Sequence, residues 1–255
     1  MRTRTRIAAA AGVIATASVT GIAVAALAAP APDDASALDS ETLLAHGSDH
    51  LPSVTATDWV TYADHVVVVE AVAEEAIEPS EEELERGEGI IGRTVTLAIE
   101  DVLWSREGAP QAAPETWEFS AAGWVFEEGD LEGAMEMSLT DFPRVEVGHQ
   151  YVMAIRWEEA VCTAGGDSLP AQWRGLGEGS EIPFDDGTLG NGESEGTVQD
   201  AEAFAADVDV HADDGVEELL AGEGADALAG VLENATPDTT AQAEVQTFAA
   251  DNSCE

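Results

Sequence analysis

Two strand-length segments that change their apolar face midway constrain this fold more than any other feature of the chain. In RTVTLAIEDVLW, Val95, Leu97 and Ile99 share one parity, and after Glu100-Asp101 the apolar positions move to Val102 and Trp104. TWEFSAAGWVF does the same: Trp117 and Phe119 lie on one face, and beyond Ala122-Gly123 the large residues Trp124 and Phe126 lie on the other. Side chains alternate across a strand, so a slip of phase marks a β-bulge or a sharp bend. Strands that bend midway suit a small, strongly curved barrel better than a flat sandwich.

Further segments extend the β pattern. In ADHVVVVEAVAEEA, residues 63–76, Val67, Val69, Ala71 and Ala73 share one parity, while the set Val66, Val68 and Val72 is interrupted by Glu70. This predicts a strand buried on both faces at its start and on one face further along. His65 shares the parity of Val67, so it is expected inside the mouth of that strand, hydrogen-bonding at its end. VEVGHQYVMAIRW places Val147, Tyr151, Met153, Ile155 and Trp157 on one face, and a weaker strand is expected near 180–184, ahead of the Asp185-Asp186-Gly187 turn signal.

The first residues read as a secretory signal: Arg2, Arg4 and Arg6 precede an apolar stretch that ends at Pro30 and Pro32. The small-x-small pattern Ala26-Leu27-Ala28 predicts cleavage before Ala29, giving a signal peptide over residues 1–28 and a secreted, extracellular or cell-envelope protein without stable membrane association after cleavage. The alternative is an uncleaved anchor, since about twenty apolar residues can also span a bilayer. Residues 29–57, rich in Pro, Asp and Ser, are expected to form a disordered linker. Cys162 and Cys254 are the chain's two cysteines. In an oxidising compartment such a pair forms a disulfide. Closing a loop of about 93 residues stabilises by roughly 4 kcal/mol in the chain-entropy model.

Charge then restricts function. The chain holds 52 acidic residues against nine basic ones, all arginine, for a formal net charge of −43. Nucleic-acid affinity comes from cationic side chains displacing counterions, so nucleic acid is excluded as a partner, and anionic lipid with it. An unidentified protein or cationic ligand remains, together with weak divalent-cation binding.

The order of a long strand, a loop, a long strand with a slip, and a late Val-Gly-His-Gln-Tyr-Val strand resembles bacterial exported OB-type barrels related to the netrin and tissue-inhibitor-of-metalloprotease modules. Those domains open on an ADxVVxGxV pattern and carry a late xxVGxxYxV strand; here ADHVVVVEAV at 63–72 and EVGHQYVM at 146–153 are similar. The resemblance covers roughly residues 60–158 and, with the strand pattern, implies a mainly β protein with a small OB-like β-barrel over residues 58–190. Beyond it alanine, aspartate and glutamate dominate, and residues 191–255 are expected to form an acidic, partly helical or disordered C-terminal segment. It does not imply metalloprotease inhibition, because the inhibitors chelate zinc through an N-terminal cysteine, and no cysteine follows the predicted cleavage point until Cys162.

OB barrels bind ligands through their loops and across one face. Here the first such loop is EEAIEPSEEELERGEGIIG, residues 74–92, in which Glu81, Glu82, Glu83 and Glu85 form a candidate binding loop for a cationic partner. Ser80 and Glu83 stand at capping-box spacing and predict a short helix.

Other motifs carry weaker chemistry. Gly192-Glu193-Ser194-Glu195-Gly196 matches the G-x-S-x-G nucleophile elbow of serine hydrolases, with His211 as the only histidine downstream. An elbow needs a buried strand before it and a helix after it, and glutamates flanking the serine oppose a developing oxyanion. His46, Asp49 and His50 have a spacing that can chelate a metal on a helix, although Gly47 disfavours the helix. Asp207, Asp209, Asp213, Asp214 and Glu218 fall near a calcium-loop pattern that lacks its central glycine. Trp104, Trp124 and Trp157 could floor a carbohydrate groove, though tryptophans near strands more often close a core. The sequence therefore points to a secreted, acidic, non-enzymatic binding module without a cofactor. The alternatives are a secreted hydrolase using Ser194 and a divalent-cation-binding protein of the cell envelope.

Overall fold

A computed structural model describes residues 42–46, 49–162, 168–207, 211 and 214–251, the side chains of 207 and 246–251 excepted. The predicted signal segment, Asp209 and Asp213 of the calcium-loop pattern, and Cys254 lie outside the described residues. The strands are β1 (Leu43–Ala45), β2 (His65–Ile77), β3 (Gly89–Ser105), β4 (Thr116–Phe126), β5 (Met135–Leu139), β6 (Gln150–Glu158), β7 (Val161–Cys162), β8 (Ser168–Leu169), β9 (Gln172–Gly175), β10 (Glu181–Pro183), β11 (Gly192–Ser194) and β12 (Thr197–Gln199). The helices are α1 (Ala56–Tyr62), α2 (Glu81–Arg86), α3 (Ala201–Asp207), α4 (Val216–Leu220), α5 (Ala225–Asn234) and α6 (Thr239–Asp251). The protein is thus mainly β, with its helices concentrated in the C-terminal part.

The main sheet has the order β1-β5-β4-β3-β2-β6-β10, with β9 also pairing to β6. It is mixed: β1 runs parallel to β5, and the other pairs are antiparallel. Both slips seen in the sequence are real irregularities. Between Val68 and Val69 the β2–β3 register passes from Asp101 to Ile99, leaving Glu100 unpaired. On the other side of β3, the register passes from Ile91–Trp124 to Arg93–Ala121, so that Ala122 and Gly123 bulge out. A Cβ at Gly123 would run into the carbonyl oxygen of Ile91, which explains why glycine occupies the bend.

Alternation along these strands builds two cores. Val67, Val69, Val95, Leu97, Trp117, Tyr151, Met153 and Ile155 fill the inner face. Val66, Val68, Val152 and Ala154 fill the outer face against Trp59 and Val60 of α1 and Leu228 and Leu232 of α5. The double burial expected for the start of β2 follows from this: one parity faces the curl and the other faces the helices.

The sheet curls far enough for β4 and β9, which have three strands between them in the order, to meet. The Trp117 indole Nε1 donates to the Trp173 carbonyl at 3.2 Å. No ladder joins the two strands among the described residues, so the barrel expected from the sequence does not close here. β4 is paired to β5 only at Trp124 and Val125, and its earlier part is laddered only to β3. A side-chain hydrogen bond stands where a closed barrel would have a backbone ladder.

The linker expectation also needs correction. Within the segment read as a linker, Leu43–Ala45 pairs with Met137–Leu139, and α1 begins at a capping box in which Thr55 and Asp58 satisfy each other's backbone N–H. Short capped elements of this kind carry little apolar periodicity, which is why the linker composition concealed them. Beyond residue 191 the described segment is partly helical, as expected, and Val216, Leu228 and Leu232 are buried in the outer core. No helix among the described residues is long and apolar enough to cross a membrane.

Candidate functional site

The open seam between β4 and β9 leaves a cavity of about 360 Å³. Trp117 and Phe119 from β4 and Trp173 from β9 supply its aromatic wall, while Asp49, Glu178 and Glu181 bring carboxylates to it. Trp117 and Phe119 meet edge to face with centroids 5.1 Å apart, and Trp173 packs in the same way on Trp157 at 5.4 Å. Edge-to-face pairing holds the rings in defined orientations. Gly175 keeps the floor open: a Cβ there would lie 3.4 Å from Glu181 Oε1, 3.6 Å from Trp117 Cη2 and 3.7 Å from Phe119 Cε2.

The carboxylates are positioned by a tight loop. Asp49 accepts a hydrogen bond from the Ser53 hydroxyl and another from the Glu178 backbone N–H at 2.8 Å, clamping the turn that carries Glu178 and Glu181. Burial, reinforced by Glu178 and Asp49, pushes the Glu181 carboxyl well above the usual range. Burial and then Asp49 raise Glu178 in the same direction. Among the described residues neither side chain has an ion-pair partner.

The arginines explain that lack. Among the described residues every arginine except Arg86 is engaged by a carboxylate elsewhere. Arg93 pairs with Glu74 at 2.7 Å, Arg106 with Asp64, and Arg144 with Glu146. Arg156 and Arg174 share Glu158, at 3.1 and 2.6 Å. Arg144 borders the cavity but is spent on Glu146, on the carbonyls of Met137 and Gly123, and on the face of Trp124.

A second buried polar group closes one end of the inner core. Glu193 is 3 % exposed and accepts hydrogen bonds from the backbone N–H groups of Arg144, Val145 and Gly196 and from the Tyr151 hydroxyl. It holds Val145 at φ 56°, a left-handed conformation strained for a β-branched residue. Burial raises the pKa of Glu193 despite these donors, and burial, followed by the neighbouring Glu193 charge, raises that of Tyr151.

The residues singled out from sequence fall in separate places. Asp49 belongs to the cavity, whereas His46 and His50 are exposed; among the described residues no group of three or more His, Cys, Asp or Glu side chains is arranged to hold a metal ion. Ser194 lies in the β11–β12 hairpin, and Glu195 and Gly196 turn it at φ 54° and 81°. That is a hairpin turn of the primed type, not the strand-to-helix elbow a nucleophile requires. Glu81, Glu82, Glu83 and Glu85 sit on the exposed helix α2, whose capping box with Ser80 is formed and lowers the Glu83 carboxyl. His65 is 4 % exposed, its ring bridging Ser105 Oγ at 2.8 Å and the Gln111 carbonyl at 2.9 Å, the end-of-strand role its parity predicted. Cys162 is disulfide-bonded. Trp104, Trp124 and Trp157 are half-buried and do not line the cavity, although Trp157 packs on its ring Trp173.

Sequence reasoning identified Trp117 and Phe119 as one face but missed Trp173, Glu178 and Glu181. The segment QWRGLGEGSE has too few apolar residues to announce a strand. The glycine-flanked Glu178 was the one available signal. The chain matches no known family model, and neither the curated proteins nor the solved structures contain a match to it.

Proposed function

We propose that this protein is an exported, acidic, non-enzymatic binding module that holds its ligand in the seam of an OB-like, half-open barrel. The observation that carries this reading is the cavity of about 360 Å³ between β4 and β9, walled by ordered aromatic rings and bordered by carboxylates. Concave sites of this size with an apolar wall and a few convergent polar groups are the usual form of a ligand site. The strand sequence, the curl that brings Trp117 to Trp173, and the short helix in the β2–β3 loop support the OB-like reading. The signal-like N-terminus supports export, and the net charge of −43 favours a cationic partner.

The test uses immobilised protein exposed to the native extracellular fraction, with Gly175→Leu as the blocked variant. A partner held by the natural chain and released by the variant supports the reading. Equal capture by both, with the variant folded by circular dichroism, overturns it.

A further inference from the structure

The seam cavity combines groups that a simple apolar slot would not contain. Trp117, Phe119 and Trp173 form its wall, and Glu178 and Glu181 sit beside them without a cation of their own among the described residues. The nearest arginines, Arg144 and Arg174, are fixed on Glu146 and Glu158 and compensate neither. Gly175 brings Glu181 Oε1 and the ring edges of Trp117 and Phe119 to within 3.4 to 3.7 Å of one point at its surface.

Resting on the reading of this cavity as the ligand site, we infer that it takes an alkyl-stemmed organic cation, an ammonium or guanidinium group as on lysine or arginine. The stem lies along the aromatic rings and the charged head lies between Glu178 and Glu181. Apolar ring carbons cover an alkyl stem and carboxylates pair with its cationic head, so the two parts of such a ligand match the two parts of the cavity. A hydrated inorganic cation gains nothing from the rings, and an anion meets uncompensated carboxylates. The raised carboxyls of Glu181 and Glu178 have the same origin: they are enclosed charges lacking a partner, which a bound cation would supply.

The experiment is a calorimetric titration of the whole protein at about 0.15 M salt, where diffuse surface attraction is screened over roughly 8 Å. The probes are N-acetyl-lysine methylamide, N-acetyl-arginine methylamide and the neutral N-acetyl-norleucine methylamide. A capped pentapeptide with lysine at its centre distinguishes the sources: tighter binding than the single residue indicates a protein side chain, and equal binding a free small molecule. The inference requires saturable binding of the two cations, with norleucine at least tenfold weaker. It also requires at least a tenfold loss in Glu181→Gln or Glu178→Gln and no change in Glu82→Gln on the distant helix α2. Norleucine binding as well as lysine, or cation binding indifferent to both cavity variants, overturns it. No saturation by either cation also overturns it, and the broader reading survives that result if Gly175→Leu still releases a captured partner.

Discussion

Glu193→Ala should destabilise the protein by about 3 to 5 kcal/mol, a figure built from the buried donors it leaves without an acceptor. The side chain is 3 % exposed, and its two oxygens serve four donors: Arg144 N at 3.1 Å, Gly196 N at 2.6 Å, Val145 N at 3.0 Å and Tyr151 Oη at 3.1 Å. Each buried donor left without an acceptor costs about 1 to 3 kcal/mol. Tyr151 loses less, because its hydroxyl still accepts from the Glu146 N–H at 2.8 Å. Val145, at φ 56°, also loses the acceptor that holds it there. Relaxation of that strain returns about 1 to 2 kcal/mol, which keeps the net loss below the sum of the orphaned groups. Glu193→Gln keeps one oxygen as acceptor for two of the donors and turns an amide toward the others, so it should cost roughly half as much. Urea unfolding followed by tryptophan fluorescence measures both variants. A loss below about 1 kcal/mol for alanine would show that water satisfies these groups and that the polar cluster does not hold the end of the core together.

Stability should rise on mild acidification. Burial raises Glu217 to about 7, so the folded state retains a proton that the unfolded chain has lost. That contribution is complete below the unfolded value near 4.3 and disappears as pH rises through about 7. Between pH 8 and pH 5 it amounts to about 2.5 kcal/mol, and Glu217→Gln should remove that part of the slope; an unchanged slope in the variant refutes the assignment. Reducing the Cys162 disulfide should lower the urea midpoint by the equivalent of up to roughly 4 kcal/mol if Cys254 is its partner, and mass spectrometry of the non-reduced digest identifies the linked peptides. Leu232→Ala, at 1 % exposure on α5, should cost about 2 to 5 kcal/mol; a surface-like cost below about 0.5 kcal/mol would detach the C-terminal helices from the core.

What the sequence disclosed and what it hid have different physical origins. The bulges at Glu100 and Gly123 were legible because alternation records burial residue by residue, and a bulge shifts its phase. The Ser80–Glu83 capping box was legible because both partners lie within one helical turn. The cavity was not, since it is assembled from Asp49, from the Trp117–Phe119 pair, and from the Trp173–Glu181 segment, which meet only when the sheet curls. Strand order is a long-range property, and it decides that β4 faces β9 across a gap. Asp49 shows the limit most plainly. Its neighbours His46 and His50 suggested a metal, but its carboxylate clamps the Glu178 turn, a residue far away in sequence.

The most direct measurement of the central claim is a map of backbone amide NMR shifts during titration with N-acetyl-lysine methylamide. The account predicts saturable shifts confined to Trp117–Ala121, Trp173–Gly175 and Glu178–Glu181, with the Trp117 and Trp173 indole signals moving together. Shifts confined to Glu81–Glu85 on α2, or spread over the acidic surface without saturation, would contradict it.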